Sequence, residues 1–108
     1  MTNPLPSAAD RITVSIDAEL EEIVPGFLEN RRKDVATLQN AVQSGDLKTV
    51  RLLGHRMKGD GGGYGFDQIS AIGDKLEQAA IREDRAVMTQ QIAALANFLG
   101  RVEVVYRR

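Results

Sequence analysis

Apolar residues recur along this chain at the steps expected of helices that bury one face. Leu28, Val35, Leu38 and Val42 alternate steps of three and four once Arg31 is allowed one slot, with Phe27 beside them. This predicts an amphipathic helix from Pro25 to about Gln43. At about 100° per residue, Leu47, Val50, Leu53, Gly54, Met57 and Gly61 gather on one side of a second helix. Ile69, Ile72, Leu76, Ala79 and Ala80 share a face of a third, which Asp67 can cap. Met88, Ile92, Leu95, Leu99, Val102 and Tyr106 form a seam of bundle type, so the fourth helix is expected to reach Tyr106. Ser44-Gly45-Asp46, a glycine-rich stretch before Asp67, and Glu83-Asp84 supply the breaks.

The N-terminal part reads differently. Pro4, Pro6, Asn3 and Ser7 give little to bury, so residues 1–11 are expected to be a mobile lead-in, and residues 12–108 one helical domain. Ile12, Val14 and Ile16 alternate with polar residues, which is an extended signal. With no partner strand in view, they are read as an arm lying on the bundle. Asp17 then caps a short helix that runs to about Val24, where Pro25 and Gly26 break or kink the chain. The expected fold is all-α: an antiparallel up-down-up-down four-helix bundle with a short additional N-terminal helix.

Composition narrows the function classes. A chain of 108 residues suits one core and is too short for a kinase's nucleotide-binding domain as well. A net charge of −1 provides no global field for nucleic acid or an anionic membrane. Without cysteine, and with a single histidine, neither a disulfide framework nor a thiolate or histidine-rich metal site is available. No signal sequence or long uncharged apolar run is seen, which predicts a cytoplasmic location.

The single histidine, His55, falls in Leu52-Leu53-Gly54-His55-Arg56-Met57-Lys58-Gly59-Asp60-Gly61-Gly62-Gly63-Tyr64-Gly65-Phe66, a stretch holding six of the ten glycines. On the helical wheel it points away from the apolar side and into solvent. Arg51, Lys58 and Gly59 are its neighbours one turn away, a setting that receives an anion. Leu52 lies about 60° from His55 on the wheel, where a partner could cover it. The basic residues could equally be a solvated helix face, and a lone exposed leucine needs no explanation. The glycines do not form a nucleotide loop, because Lys58 precedes them. They are better explained by helix termination and close helix approach. Tyr64 and Phe66 are expected to pack at the bundle end.

His55-x-x-Lys58-Gly59, followed by the glycine-rich turn and Gly65-Phe66, resembles the histidine-containing phosphotransfer (HPt) family over most of the chain. That resemblance implies His55 as the phosphoryl acceptor, Lys58 as the phosphate-side cation, and Gly59 as the residue keeping the approach open. With Leu52, Arg51 and Gly62, Gly59 would make up the access and docking surface. Asp60 stands where the family more often has a small neutral residue, and lies about 140° from His55 on the wheel.

A neutral imidazole offers a ring-nitrogen lone pair without a general base, whereas phosphoryl transfer also needs charge neutralisation. No carboxylate cluster beside His55 is evident in the sequence. The resemblance therefore implies a carrier, not an enzyme, which binds no cofactor itself and relies on the aspartate and Mg²⁺ of a response-regulator receiver domain. A histidine kinase would be the other partner, with no nucleic acid or membrane partner and a monomeric state. Two other classes stand beside this one: an unphosphorylated binding module that docks and regulates a kinase or receiver, and a structural helical adaptor. Retention of His55, Lys58 and Gly59 together favours the carrier.

Overall fold

The computed structural model describes residues 10–108, so most of the expected 1–11 lead-in lies outside the described residues. Asp10 and Arg11 are tied to the fold. The Asp10 carbonyl accepts from Arg101 Nε at 2.6 Å, and Arg11 pairs with Glu103 at 3.5 Å. Four helices carry the structure: α1 (Val24–Ser44), α2 (Leu47–Gly63), α3 (Asp67–Ile81) and α4 (Arg85–Arg101). Connectors of only two or three residues join them, and the architecture fits a four-helix bundle.

The helix boundaries follow local chemistry. Pro25 sits in the first turn of α1, where its missing N–H costs nothing. Gly45 closes α1 in the left-handed region at φ 74°, donating to Ala41 and Val42 carbonyls. Asp46 caps α2 by accepting from the Thr49 amide at 3.1 Å and hydroxyl at 2.6 Å. Those two bonds hold its carboxyl below the usual carboxylate range, so the cap's support is lost as acid protonates it. Asp84 caps α4 in the same way, through the Val87 amide at 3.2 Å. The α3 cap differs from expectation, since Asp67 is already the first helical residue and makes no side-chain cap.

The apolar faces read from the sequence converge on one core. Val50, Gly54, Met57 and Gly61 are buried on α2; Ile69, Ile72, Leu76, Ala79 and Ala80 on α3; Met88, Ile92, Leu95 and Leu99 on α4. At the bundle end Phe27 stacks on Tyr64, with ring centroids 4.2 Å apart, and on Phe66 at 5.7 Å. The seam slot at Arg31 is half-buried. Its guanidinium lies 4.9 Å from the Phe27 ring centre and pairs with Asp34 at 2.8 Å. Burial pushes the Asp34 carboxyl up, against the opposing pull of Arg31, so this group's contribution to stability falls as pH rises through its titration.

Two expectations fail together at the chain ends. Residues 102–107 do not continue α4; they form a strand, β2 (Val102–Arg107), in parallel register with β1 (Ile12–Asp17), pairing Ile12 with Val102 and Ile16 with Tyr106. Val102 and Tyr106 satisfy the helical step, but Val102, Val104 and Tyr106 also satisfy a step of two. The valines and tyrosine are better strand than helix formers. The arm therefore has a partner, and the two strands lay Ile12, Val14, Ile16, Val102, Val104 and Tyr106 against the bundle. The expected helix after Asp17 is a single 3₁₀ turn (Ala18–Leu20), with Asp17 accepting from the Glu19 amide at 2.8 Å.

Candidate functional site

The site begins with an unusually close approach of α2 to α3. A Cβ on Gly54 would stand 2.7 Å from the Glu77 amide nitrogen and 2.8 Å from the Gly73 carbonyl oxygen. A Cβ on Gly73 would stand 2.5 Å from the Lys58 amide nitrogen. Glycines at these two positions let the backbones meet. Ser70 fastens the pair further along: its hydroxyl accepts from the Gly62 N–H at 2.7 Å and donates to the Lys58 carbonyl at 2.9 Å. Those two backbone groups are an i, i+4 pair of α2, so the α3 hydroxyl bridges one rung of its ladder beginning one turn from His55.

This contact brings α3 carboxylates beside the imidazole. His55 is exposed, with 70% of its side-chain surface accessible, whereas Glu77 is 13% accessible. His55 Nδ1 lies 2.7 Å from Glu77 Oε2. An ionised carboxylate can only accept, so this contact assigns the proton of a neutral ring to Nδ1 and its lone pair to Nε2. The other Glu77 oxygen is 3.7 Å from Lys58 Nζ, and Asp74 Oδ1 is 3.4 Å from the same ammonium. The result is a chain His55–Glu77–Lys58–Asp74.

The sequence made no carboxylate cluster evident beside His55, and it gave no notice of the single carboxylate that touches the ring, Glu77. Glu77 is 22 positions downstream, and sequence periodicity on α2 alone could not reach it. A signal existed nonetheless: glycines on the apolar faces of both α2 and α3 mark a close crossing, and Glu77 is one turn beyond Gly73. Among the described residues no group of three or more His, Cys, Asp or Glu side chains could hold a metal ion.

The remaining expected site residues fall as follows. A groove of about 380 Å³ is lined by Lys48, Arg51, Leu52, His55 and Glu77, and Leu52 is 47% exposed. Gly59 is exposed, and a Cβ there would meet nothing within 4 Å. Gly62, expected at the access and docking surface, is exposed, and its amide also joins the α2–α3 contact through Ser70. Ile81, one turn beyond Glu77 on α3, is 55% exposed.

A family model described as Hpt domain matches residues 22–104 of the chain, which therefore belongs to the Hpt family. Hpt domains are phosphocarrier modules, not classical enzymes; they serve histidine phosphotransfer in two-component phosphorelays and interact with receiver domains and kinases. Searches of curated proteins and of solved structures gave no match. Among the described residues no helix is long and apolar enough to cross a membrane.

Proposed function

We propose that this chain is a phosphorelay intermediate that accepts a phosphoryl group on His55 Nε2 and exchanges it with the aspartate of a response-regulator receiver domain. The observation that carries this reading is the exposed imidazole whose Nδ1 is held by Glu77 and whose Nε2 faces outward with no partner from the described residues. In uptake the Nε2 lone pair attacks phosphorus, the P–O bond to the receiver's aspartate breaks, and that carboxylate leaves with the electron pair. Nδ1 keeps its proton, so the ring gains a positive charge directly facing the Glu77 carboxylate. Donation runs the same steps backwards. Mg²⁺ belongs to the receiver in this scheme, and no metal is assigned to the present chain.

Arg51, Leu52, Gly59 and Gly62 form the docking face in this reading, with Lys48 and Ile81 added. Lys58 is the phosphate-side cation. The short connectors support an antiparallel up-down-up-down order within a single domain from residue 12 to 108. The same reading makes the chain a cytoplasmic monomer without nucleic acid or membrane partners, in keeping with its net charge of −1.

The test is to mix the chain with a panel of phosphorylated receivers and Mg²⁺. Acid-labile label should move onto it, whereas ATP alone should leave it unlabelled because no nucleotide-binding signature is present. Label gained from ATP by the pure chain would contradict the carrier role.

Glu77 supplies a second check. Glu77→Ala loses both the orienting acceptor and the charge that faces the ring, and transfer should slow by about ten- to a hundred-fold. Glu77→Gln keeps an acceptor without the charge and should fall between alanine and the parent. Single-turnover transfer rates read this order; a Glu77→Ala rate equal to the parent's would remove Glu77 from the mechanism.

A further inference from the structure

Within the run of contacts from His55 through Glu77 and Lys58 to Asp74, two carboxylates draw on one ammonium. Lys58 is the single ammonium in the chain His55–Glu77–Lys58–Asp74, and it faces two acids. Glu77 is mostly covered and makes its shorter contact, 2.7 Å, with the imidazole; its contact with Lys58 is longer, at 3.7 Å. Asp74 is half exposed, lies one turn before Glu77 on α3, and stands closer to Lys58 Nζ, at 3.4 Å. The ammonium that should shield an incoming phosphoryl group is therefore already drawn toward α3.

We propose that Asp74 is a positioning residue that competes with the phosphoryl group for Lys58 and so tilts the transfer equilibrium of His55 toward release. The inference rests on His55 carrying phosphate, as argued above. A phosphoryl group adds up to about two negative charges on Nε2, one helical turn from Lys58. The lysine stem is flexible and its ammonium acts as a point charge, so it can serve either α3 or the phosphate, with Asp74 setting the balance. Held by Asp74, Lys58 stabilises the phosphorylated imidazole less, and the group passes on more readily. Freed from Asp74, it turns to the phosphate and the carrier keeps its load.

The experiment loads His55 directly with phosphoramidate, a small donor that needs no receiver, and follows the phosphoryl group by ³¹P NMR as the pH is varied. A closer ammonium favours the more ionised phosphate, so Asp74→Asn should raise the acid dissociation constant of the phosphoryl group by roughly two- to five-fold, the range of an exposed ion pair. In a Lys58→Met background the same replacement should change it by less than half as much. In exchange with a receiver, Asp74→Asn should shift the phosphoryl partition toward His55 by a similar factor.

No shift in the single variant overturns the proposal. A full-sized shift that survives in Lys58→Met also overturns it, because Asp74 would then act through its own charge and not by positioning Lys58. A chain that takes phosphate from phosphoramidate at His55 yet exchanges with no receiver would refute the carrier reading, while the titration would still decide the role of Asp74.

Discussion

His55→Gln should accept no label from any phosphorylated receiver, while its helical signal and unfolding midpoint stay close to the parent's. The side chain is 70% exposed and its one hydrogen bond among the described residues is to Glu77, so its loss should cost at most about 1 kcal/mol. Glutamine can still donate to Glu77 but offers no nucleophilic nitrogen, which separates the chemistry from the fold. Acid-labile phosphate counted against circular dichroism reads both quantities on one sample. Label that persists in His55→Gln would transfer the acceptor role elsewhere.

Gly73→Ala should have the largest effect on stability of any single methyl added to this protein. Its Cβ would lie 2.5 Å from the Lys58 amide nitrogen and 2.7 Å from both the Gly54 carbonyl oxygen and the Met57 Cβ. Two of those neighbours are backbone, so relief requires α2 and α3 to move apart. The expected cost is about 1–3 kcal/mol of overpacking, partly offset by about 1 kcal/mol of better helix propensity. Because Glu77 is positioned by the same crossing, transfer should slow as well.

Gly59 provides the contrast on the same helix. With nothing within 4 Å of a Cβ, Gly59→Ala should keep or slightly raise stability, by about 0.5–1 kcal/mol. The bulkier Gly59→Gln should fold yet transfer more slowly, because its side chain enters the receiver's approach. Urea unfolding of the three variants decides the matter, and a Gly73→Ala protein as stable as its parent would mean that the helices do not meet there.

The solvent-facing histidine and the buried faces were legible because helical periodicity is a property of one segment at a time. Leu76 and Leu95 are fully buried, as their spacing required, and Leu52 stands out in solvent, as its angle required. What depended on two segments meeting was hidden. Glu77 looks like any surface acid of α3 until Gly54 and Gly73 are seen to share one contact. Val102–Arg107 was hidden for another reason: its apolar spacing fits both a helix and a strand, and the deciding partner, β1, lies at the opposite end of the sequence. The bond from the Gly62 amide to Ser70 was hidden too, because a glycine's amide leaves no trace in a side-chain pattern.

The parallel pairing of the chain ends has a kinetic consequence. Joining Ile12 to Val102 closes a loop over nearly the whole sequence, whereas α2 and α3 meet across a connector of three residues. Loop-closure entropy favours the short connection, so the helical hairpin that carries His55 and Glu77 is the natural nucleus and the two strands dock late. By the same reasoning the strands are the first element to open in the folded protein, and their amides should exchange with solvent sooner than those of α2 and α3. Ile16 is the bolt of this latch. It is buried, and its Cδ1 fills the space that a side chain at Gly65 would need, just beyond the end of α2. Fraying of the termini therefore uncovers the foot of the acceptor helix while leaving the imidazole and its carboxylate together.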